Sequence, residues 1–201
     1  GLRQRVVLVG SIFGEEQELV EMAEMFNRYH FAAIEVNVSC MNTEHETQTI
    51  ERVVRAIKAV AKQSRHPIIV KTAYDQPYLT IAQELKDHAQ AISLNSVFWE
   101  TIFPDPQKVS PVAKIGKPGQ GGVSGKPAQV YNWAAVEALA KQGSLPVIGP
   151  SVMEFEDLDR LRALGAQALS FGAIHLRTPW KPTAIVERDM DRVKVFERLC
   201  L

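Results

Sequence analysis

The sequence predicts an α/β fold of the (β/α)8 barrel type, on three observations. Six short apolar runs alternate in strict order with helix-length segments, which implies parallel strands joined by right-handed crossovers. The first run is not followed by the G-x-G-x-x-G that opens a dinucleotide-binding sheet. Polar residues gather where the strands end, at Ser11, Asn37, Lys71, Asn95, Ser151 and Gly172. Barrel enzymes build their sites at that end of the strands. Six units do not close an eight-unit barrel.

Each element has a local reason. "VVLVGSI" (6–12) is a continuous apolar run suited to a strand buried on both faces. Leu19, Met22, Ala23, Phe26 and His30 then recur at helical spacing. "AAIEVNV" (32–38) is the second strand. Thr43 and Glu46 form a T-x-x-E capping box for a helix whose face is Ile50, Val53, Val54, Ile57, Val60 and Ala61. "PIIVKTA" (67–73) is the third strand, and Pro77 opens a helix carrying Leu79, Ala82 and Leu85. "AISLNSV" (91–97) is the fourth. Residues 98–127 are rich in Pro and Gly, and an irregular stretch of that length is usually a functional loop or disordered. A helix around Val130 to Ala140, a strand "LPVIGPS" (145–151) and a helix over 154–164 follow, the last stopped by Gly165 at positive φ. "ALSFGAI" (168–174) is the sixth strand, and a final helix runs from about Thr183 to Leu199.

The 201 residues carry no formal net charge, and 46% are hydrophobic. That composition suits one globular domain over 1–201 and gives no electrostatic basis for nucleic-acid binding. No apolar run approaches the ~20 residues of a membrane span, and no signal-peptide pattern opens the chain. Cys40 and Cys200 lie far apart, so no disulfide framework is implied and a reducing, cytoplasmic compartment fits. Gly1 in place of Met, with a strand beginning at Val6, points to an added residue or to a piece of a longer protein.

The candidate chemistry sits in four places. Cys40 reads first as a small buried hydrophobe, but it lies at a strand end in the polar loop "NVSCMN", where a thiol can act as base or nucleophile. Lys71 comes late in an apolar strand, where burial is costly unless the ammonium is paired or reaches the barrel mouth. It could serve as a Schiff-base lysine or face an electron-rich cofactor. Asn37 and Asn95 end strands on either side of it. The segment "GKPGQGGVSGKP" (116–127) fits neither phosphate-loop spacing and is weak evidence on its own.

Together these segments resemble the dihydroorotate dehydrogenase family, the FMN-dependent barrels of pyrimidine biosynthesis. "IEVNVSCMN" is similar to that family's "ELNLSCPN", "IIVKTA" to its "VKL" strand and "LNSV" to its "VNS" strand. "GGVSGKP" resembles its glycine loop, and "PVIGPSV" and "LSFGAIHL" its phosphate strands. The resemblance implies a flavoprotein oxidoreductase that converts dihydroorotate to orotate. Cys40 would be the general base, and a cysteine there resembles the class 1 branch. Asn37, Asn42 and Asn95 would bind the substrate, and Lys71 and Ser96 would lie beside the flavin. Gly121, Gly122, Gly149, Ser151, Val152, Gly172 and Ala173 complete the implied cofactor contacts. The partner is a small pyrimidine, with no nucleic acid, membrane or metal, and a homodimer is allowed.

Three departures stand out. Met41 replaces the family's loop proline. Ser151 and Val152 replace two glycines and Ala173 a common hydroxyl residue, so weak FMN binding is expected, above all if either of the two former glycine positions needs φ > 0, where a β-branched Val is badly placed. The first strand here resembles the family's third, so the first two β/α units have no counterpart. Alternatives are a dihydropyrimidine-reducing flavoenzyme, a phosphate-binding barrel lyase with a Schiff-base Lys71, and a divergent barrel without catalysis.

Overall fold

A computed structural model describes residues 7–39, 49–94, 96–115 and 121–199, with side chains to residue 193. The element order is β1 (Val9–Ile12), α1 (Glu16–Phe26), β2 (Ala33–Asn37), α2 (Ile50–Gln63), β3 (Ile68–Thr72), α3 (Tyr78–Leu85) and β4 (Ala91–Leu94). Then come β5 (Val97–Phe98), α4 (Trp99–Ile102), α5 (Pro111–Lys114), β6 (Gly122–Val123), a 3-10 turn (Lys126–Ala128) and α6 (Gln129–Gln142). The chain ends with β7 (Val147–Gly149), α7 (Glu156–Ala163), β8 (Ala168–Leu169), α8 (Ala173–Arg177) and α9 (Lys181–Leu199).

Six strands form one parallel sheet in the order β1-β2-β3-β4-β7-β8. A doubly wound sheet reverses its strand order at a switch point. Here the order never reverses, so crossovers of one hand put every helix on the same side. The side chains agree. Ile12, Ile34, Val36, Ile68, Val70, Ile92 and Val147 are buried on the helical side. There a Cβ on Gly10 would strike Phe26 of α1, and one on Gly149 would strike Leu161 of α7. Alternate positions Glu35, Asn37, Ile69 and Lys71 point the other way and are only half-buried. The architecture is part of a (β/α)8 barrel: an arc of strands, helices outside, a concave face within.

The helices dock through the faces read from the sequence. Val53, Val54, Ile57 and Val60 of α2 are buried, with Ile50 and Ala61 packed beside them. Full burial of one such aliphatic side chain stabilises by roughly 1.5–3 kcal/mol, so this stripe is what holds α2 to the sheet. Gly165 ends α7 at φ +95° as expected.

The structure corrects several boundaries. The N-cap of α2 is Thr49, whose hydroxyl accepts from the Arg52 amide at 3.4 Å; Thr43 and Glu46 lie outside the described residues. His30 is exposed beyond the end of α1. In α3 the apolar face is Ile81, Ala82 and Leu85, with Leu79 at the surface. The expected irregular stretch 98–127 holds the antiparallel hairpin β5–β6 and two short helices. The sixth strand stops at Leu169, and 173–177 is helical. Ile174 is fully buried in that turn, and a short apolar run reads alike as strand or buried helix.

Candidate active site

Strand alternation and register bring the candidate residues onto the concave face. Asn37 of β2 lies opposite Lys71 of β3, and Lys71 lies opposite Ser93 of β4. Three polar side chains therefore line up across adjacent strands near their C-terminal ends. Glu35, two residues before Asn37, shares that face. Its Oε1 accepts from Lys71 Nζ at 3.0 Å and from Ser11 Oγ at 3.2 Å. The Glu35 and Lys71 side chains are 19% and 27% exposed, so the pair is partly shielded from water and keeps more Coulombic strength than a surface pair. This answers how the chain keeps a lysine in a sheet: the charge is paired.

Loops at the same end are tied together by side chains. Asn37 Oδ1 accepts from Ser39 N at 3.1 Å and Ser39 Oγ at 2.7 Å, an Asx turn that fixes the exit of β2. Gln76 joins β2 to β3: its Nε2 donates to Val38 O at 2.9 Å, and its Oε1 accepts from Thr72 Oγ1 at 2.7 Å and Ala73 N at 2.9 Å. Asp75 accepts from Phe98 N at 2.6 Å and from the Thr101 hydroxyl, which anchors the β5 segment to the β3 end. Tyr74 stacks edge-on against Tyr131 of α6, and burial, then Tyr74, pushes the Tyr78 phenol above its usual pKa.

The exit of β7 forms a second cluster. Ser151 has φ +66°, the one described non-glycine residue in the left-handed region. Its carbonyl accepts from Gln129 Nε2 at 2.8 Å, and its hydroxyl from Asn132 Nδ2 at 3.4 Å. Gln129 also donates to Asp157 Oδ2 at 3.0 Å, and that same oxygen accepts from the Met153 and Glu154 amides, each at 2.9 Å. Trp133 Nε1 donates to Pro150 O at 3.1 Å. Six bonds among α6, the start of α7 and the turn itself thus hold the segment that carries Ser151. Val152 is fully buried and is not at positive φ, so of the two former glycine positions it is Ser151 that takes the left-handed conformation. Gly125 at φ +80° approaches the same cluster: a Cβ there would lie 3.0 Å from Ala173 Cβ and 3.6 Å from Met153 Sδ. The glycine segment, the β7 exit and the start of α8 therefore meet.

The other expected site residues fall as follows. Cys40, Asn42 and Asn95 lie outside the described residues. Ser96 is half-buried just before β5. Gly121, at φ +71°, accepts from Trp99 N through its carbonyl, and Gly122 pairs with Phe98 in the hairpin. Gly149 turns its Cα toward Leu161 and Ala166 in the helical layer. Gly172 is exposed and caps α8. Sequence reading missed Glu35, Asp75, Gln76, Gln129 and Asp157. Alternation could have placed Glu35 beside Asn37 on one face; the others depend on which loops meet. Among the described residues no three His, Cys, Asp or Glu side chains are grouped to hold a metal, and no helix is long and apolar enough to cross a membrane.

The family model described as dihydroorotate dehydrogenase matches residues 3–188. The chain belongs to the dihydroorotate dehydrogenase family. It is 29% identical over 180 residues to the dihydroorotate dehydrogenase B (NAD(+)) catalytic subunit of Methanocaldococcus jannaschii, covering 85% of this chain and 57% of that protein. It is 28% identical over 177 residues to the dihydroorotate dehydrogenase A (fumarate) of Limosilactobacillus reuteri, covering 83% and 56%. The chain thus spans little more than half the length of these relatives. In three dimensions it is similar to 2,3-dimethylmalate lyase (TM-score 0.55, 11% identity, 94% of this chain and 60% of that one). It is also similar to a mandelate oxidase with an FMN adduct (TM-score 0.50, 17% identity, 82% and 48%). At such identities the structural likeness supports the barrel fold alone.

Proposed function

We propose that this chain carries the flavin- and substrate-facing arc of an FMN-dependent dihydroorotate dehydrogenase, oxidising dihydroorotate to orotate. The observation that carries this reading is the half-buried Lys71, aligned with Asn37 and Ser93 on the concave face at the strand C-terminal end. A cation there suits the electron-rich N1/O2 edge of a flavin. The left-handed turn at Ser151 and the close approach of Gly125 to Ala173 suit the cofactor's tail, since both bring backbone to the surface of one cluster. The residues present therefore fit FMN: Lys71 and Ser96 toward the ring, and the Gly121–Gly122 segment, Ser151, Gly172 and Ala173 toward the ribityl phosphate.

Bound FMN supplies the two-electron acceptor for the hydride that leaves carbon 6 of dihydroorotate. The chain's own groups do the rest. Asn37, Asn42 and Asn95 hydrogen-bond the carboxylate and ring. Cys40, as thiolate, takes the proton from carbon 5. Its ordinary pKa is about 8.5, so the rate rises with pH through its titration. Lys71 is engaged by a carboxylate instead of offered as a free amine, which favours this reading over a Schiff-base lyase. The test is anaerobic single-turnover flavin reduction by dihydroorotate. Cys40→Ala is expected to slow it by roughly 10²–10⁴ while orotate binding is kept. Reduction at the parent rate would refute the assignment of Cys40.

A further inference from the structure

We propose that Glu35 is a positioning residue that sets the orientation and the effective charge of Lys71, an inference that rests on the flavin reading above. The geometry is specific. In the β1–β2–β3 register Glu35 lies directly opposite Ser11 and one diagonal step from Lys71. One oxygen, Oε1, accepts from both neighbours. The carboxylate is therefore clamped between two strands, and it draws Nζ back toward the middle of the sheet. A ring lying on this face meets a cation and an anion together, not a bare ammonium. Both side chains are more than two-thirds shielded from solvent, so neither charge is screened away.

The consequence is electrochemical. A reduced flavin bears more negative charge at its N1/O2 edge than an oxidised one. Lys71 favours the reduced form, and Glu35 opposes it. The ratio of reduced to oxidised FMN affinity is thus set by the pair. Glu35→Gln removes the negative charge but keeps an oxygen that can accept from Ser11 and Lys71. Ser11→Ala removes one hydrogen bond and no charge.

The test titrates oxidised and reduced FMN into the full chain and its variants, and measures Lys71 acylation by a neutral N-hydroxysuccinimide ester by mass spectrometry, with the exposed Lys86 as internal reference. Glu35→Gln is expected to raise the reduced-to-oxidised affinity ratio about tenfold, which is about 30 mV for a two-electron couple. Ser11→Ala is expected to leave the ratio within about twofold, because it changes no charge. Lys71 acylation is expected to rise several-fold in Glu35→Gln while Lys86 is unchanged. An unchanged ratio, or an equal change in Ser11→Ala, would overturn the electrostatic role. If the parent chain binds no FMN, the flavin reading fails, and acylation alone decides whether Glu35 governs Lys71: an unchanged Lys71 rate overturns that too.

Discussion

Removal of the Asp157 carboxylate is expected to loosen the turn that shapes the β7 exit, at a cost near 3 kcal/mol. Asp157 is 2% exposed, and its Oδ2 accepts three bonds: the Met153 and Glu154 amides and Gln129 Nε2. In Asp157→Ala the Met153 and Glu154 amides, which precede α7, lose their shared acceptor, and a net hydrogen bond is typically worth about 1 kcal/mol. The Gln129 amide, itself 6% exposed, is left with Ser151 O alone, and an underpaired buried donor costs about 1–3 kcal/mol. A total near 3 kcal/mol corresponds to a fall in Tm of about 6–12 °C for a chain of this length. Urea unfolding followed by circular dichroism should show a lower midpoint with an unchanged slope. Asp157→Asn keeps one carbonyl oxygen and should cost roughly half as much. If Asp157→Ala costs under about 1 kcal/mol, the three bonds are not what holds the Ser151 turn.

Two further predictions use the same unfolding assay. Gly143 and Gly165 both have positive φ, at +71° and +95°, but a Cβ on Gly143 meets nothing within 4 Å, whereas one on Gly165 falls 2.5 Å from Ala140 Cβ. Gly143→Ala should therefore cost about 1 kcal/mol from backbone strain alone, and Gly165→Ala at least about 2; equal costs would refute the steric argument. Hydrogen bonding from Arg162, with Arg192 adding to it, holds Asp189 below the usual carboxylate range. A depressed folded pKa gives stability that is present above the unfolded value of about 3.9 and is lost as pH falls through the folded one. Asp189→Asn should flatten that acid limb and cost no more than about 1 kcal/mol at neutral pH; an unchanged acid limb would show that the α7–α9 network is not responsible.

Much of this architecture was legible in the residues. The apolar runs gave all six sheet strands, because a strand buried against helices must be apolar along its outer face. The polar strand ends put Asn37 and Lys71 at the same end of neighbouring strands before any register was known. What stayed hidden depends on contacts distant in sequence. The Glu35–Lys71 pair is diagonal across two strands and exists only in this register. The β5–β6 hairpin has two-residue strands, too short to show alternation. Gln129 and Asn132 begin a helix, and nothing nearby in sequence says that they face the β7 exit. Ser151 shows the converse. A serine does not advertise a left-handed turn, yet the bonds from Gln129 and Asn132 hold one there.

The most direct test of the flavin site is FMN binding by this chain, followed by quenching of flavin fluorescence, with Lys71→Met beside the parent. Lys71→Met keeps a long apolar stem and removes only the ammonium. Saturable binding by the parent that weakens about tenfold or more in Lys71→Met, by loss of roughly 1.4 kcal/mol or more of charged hydrogen bonding, is the expected result. Absence of saturable binding, or equal affinity in the two proteins, would contradict a flavin site on the concave face.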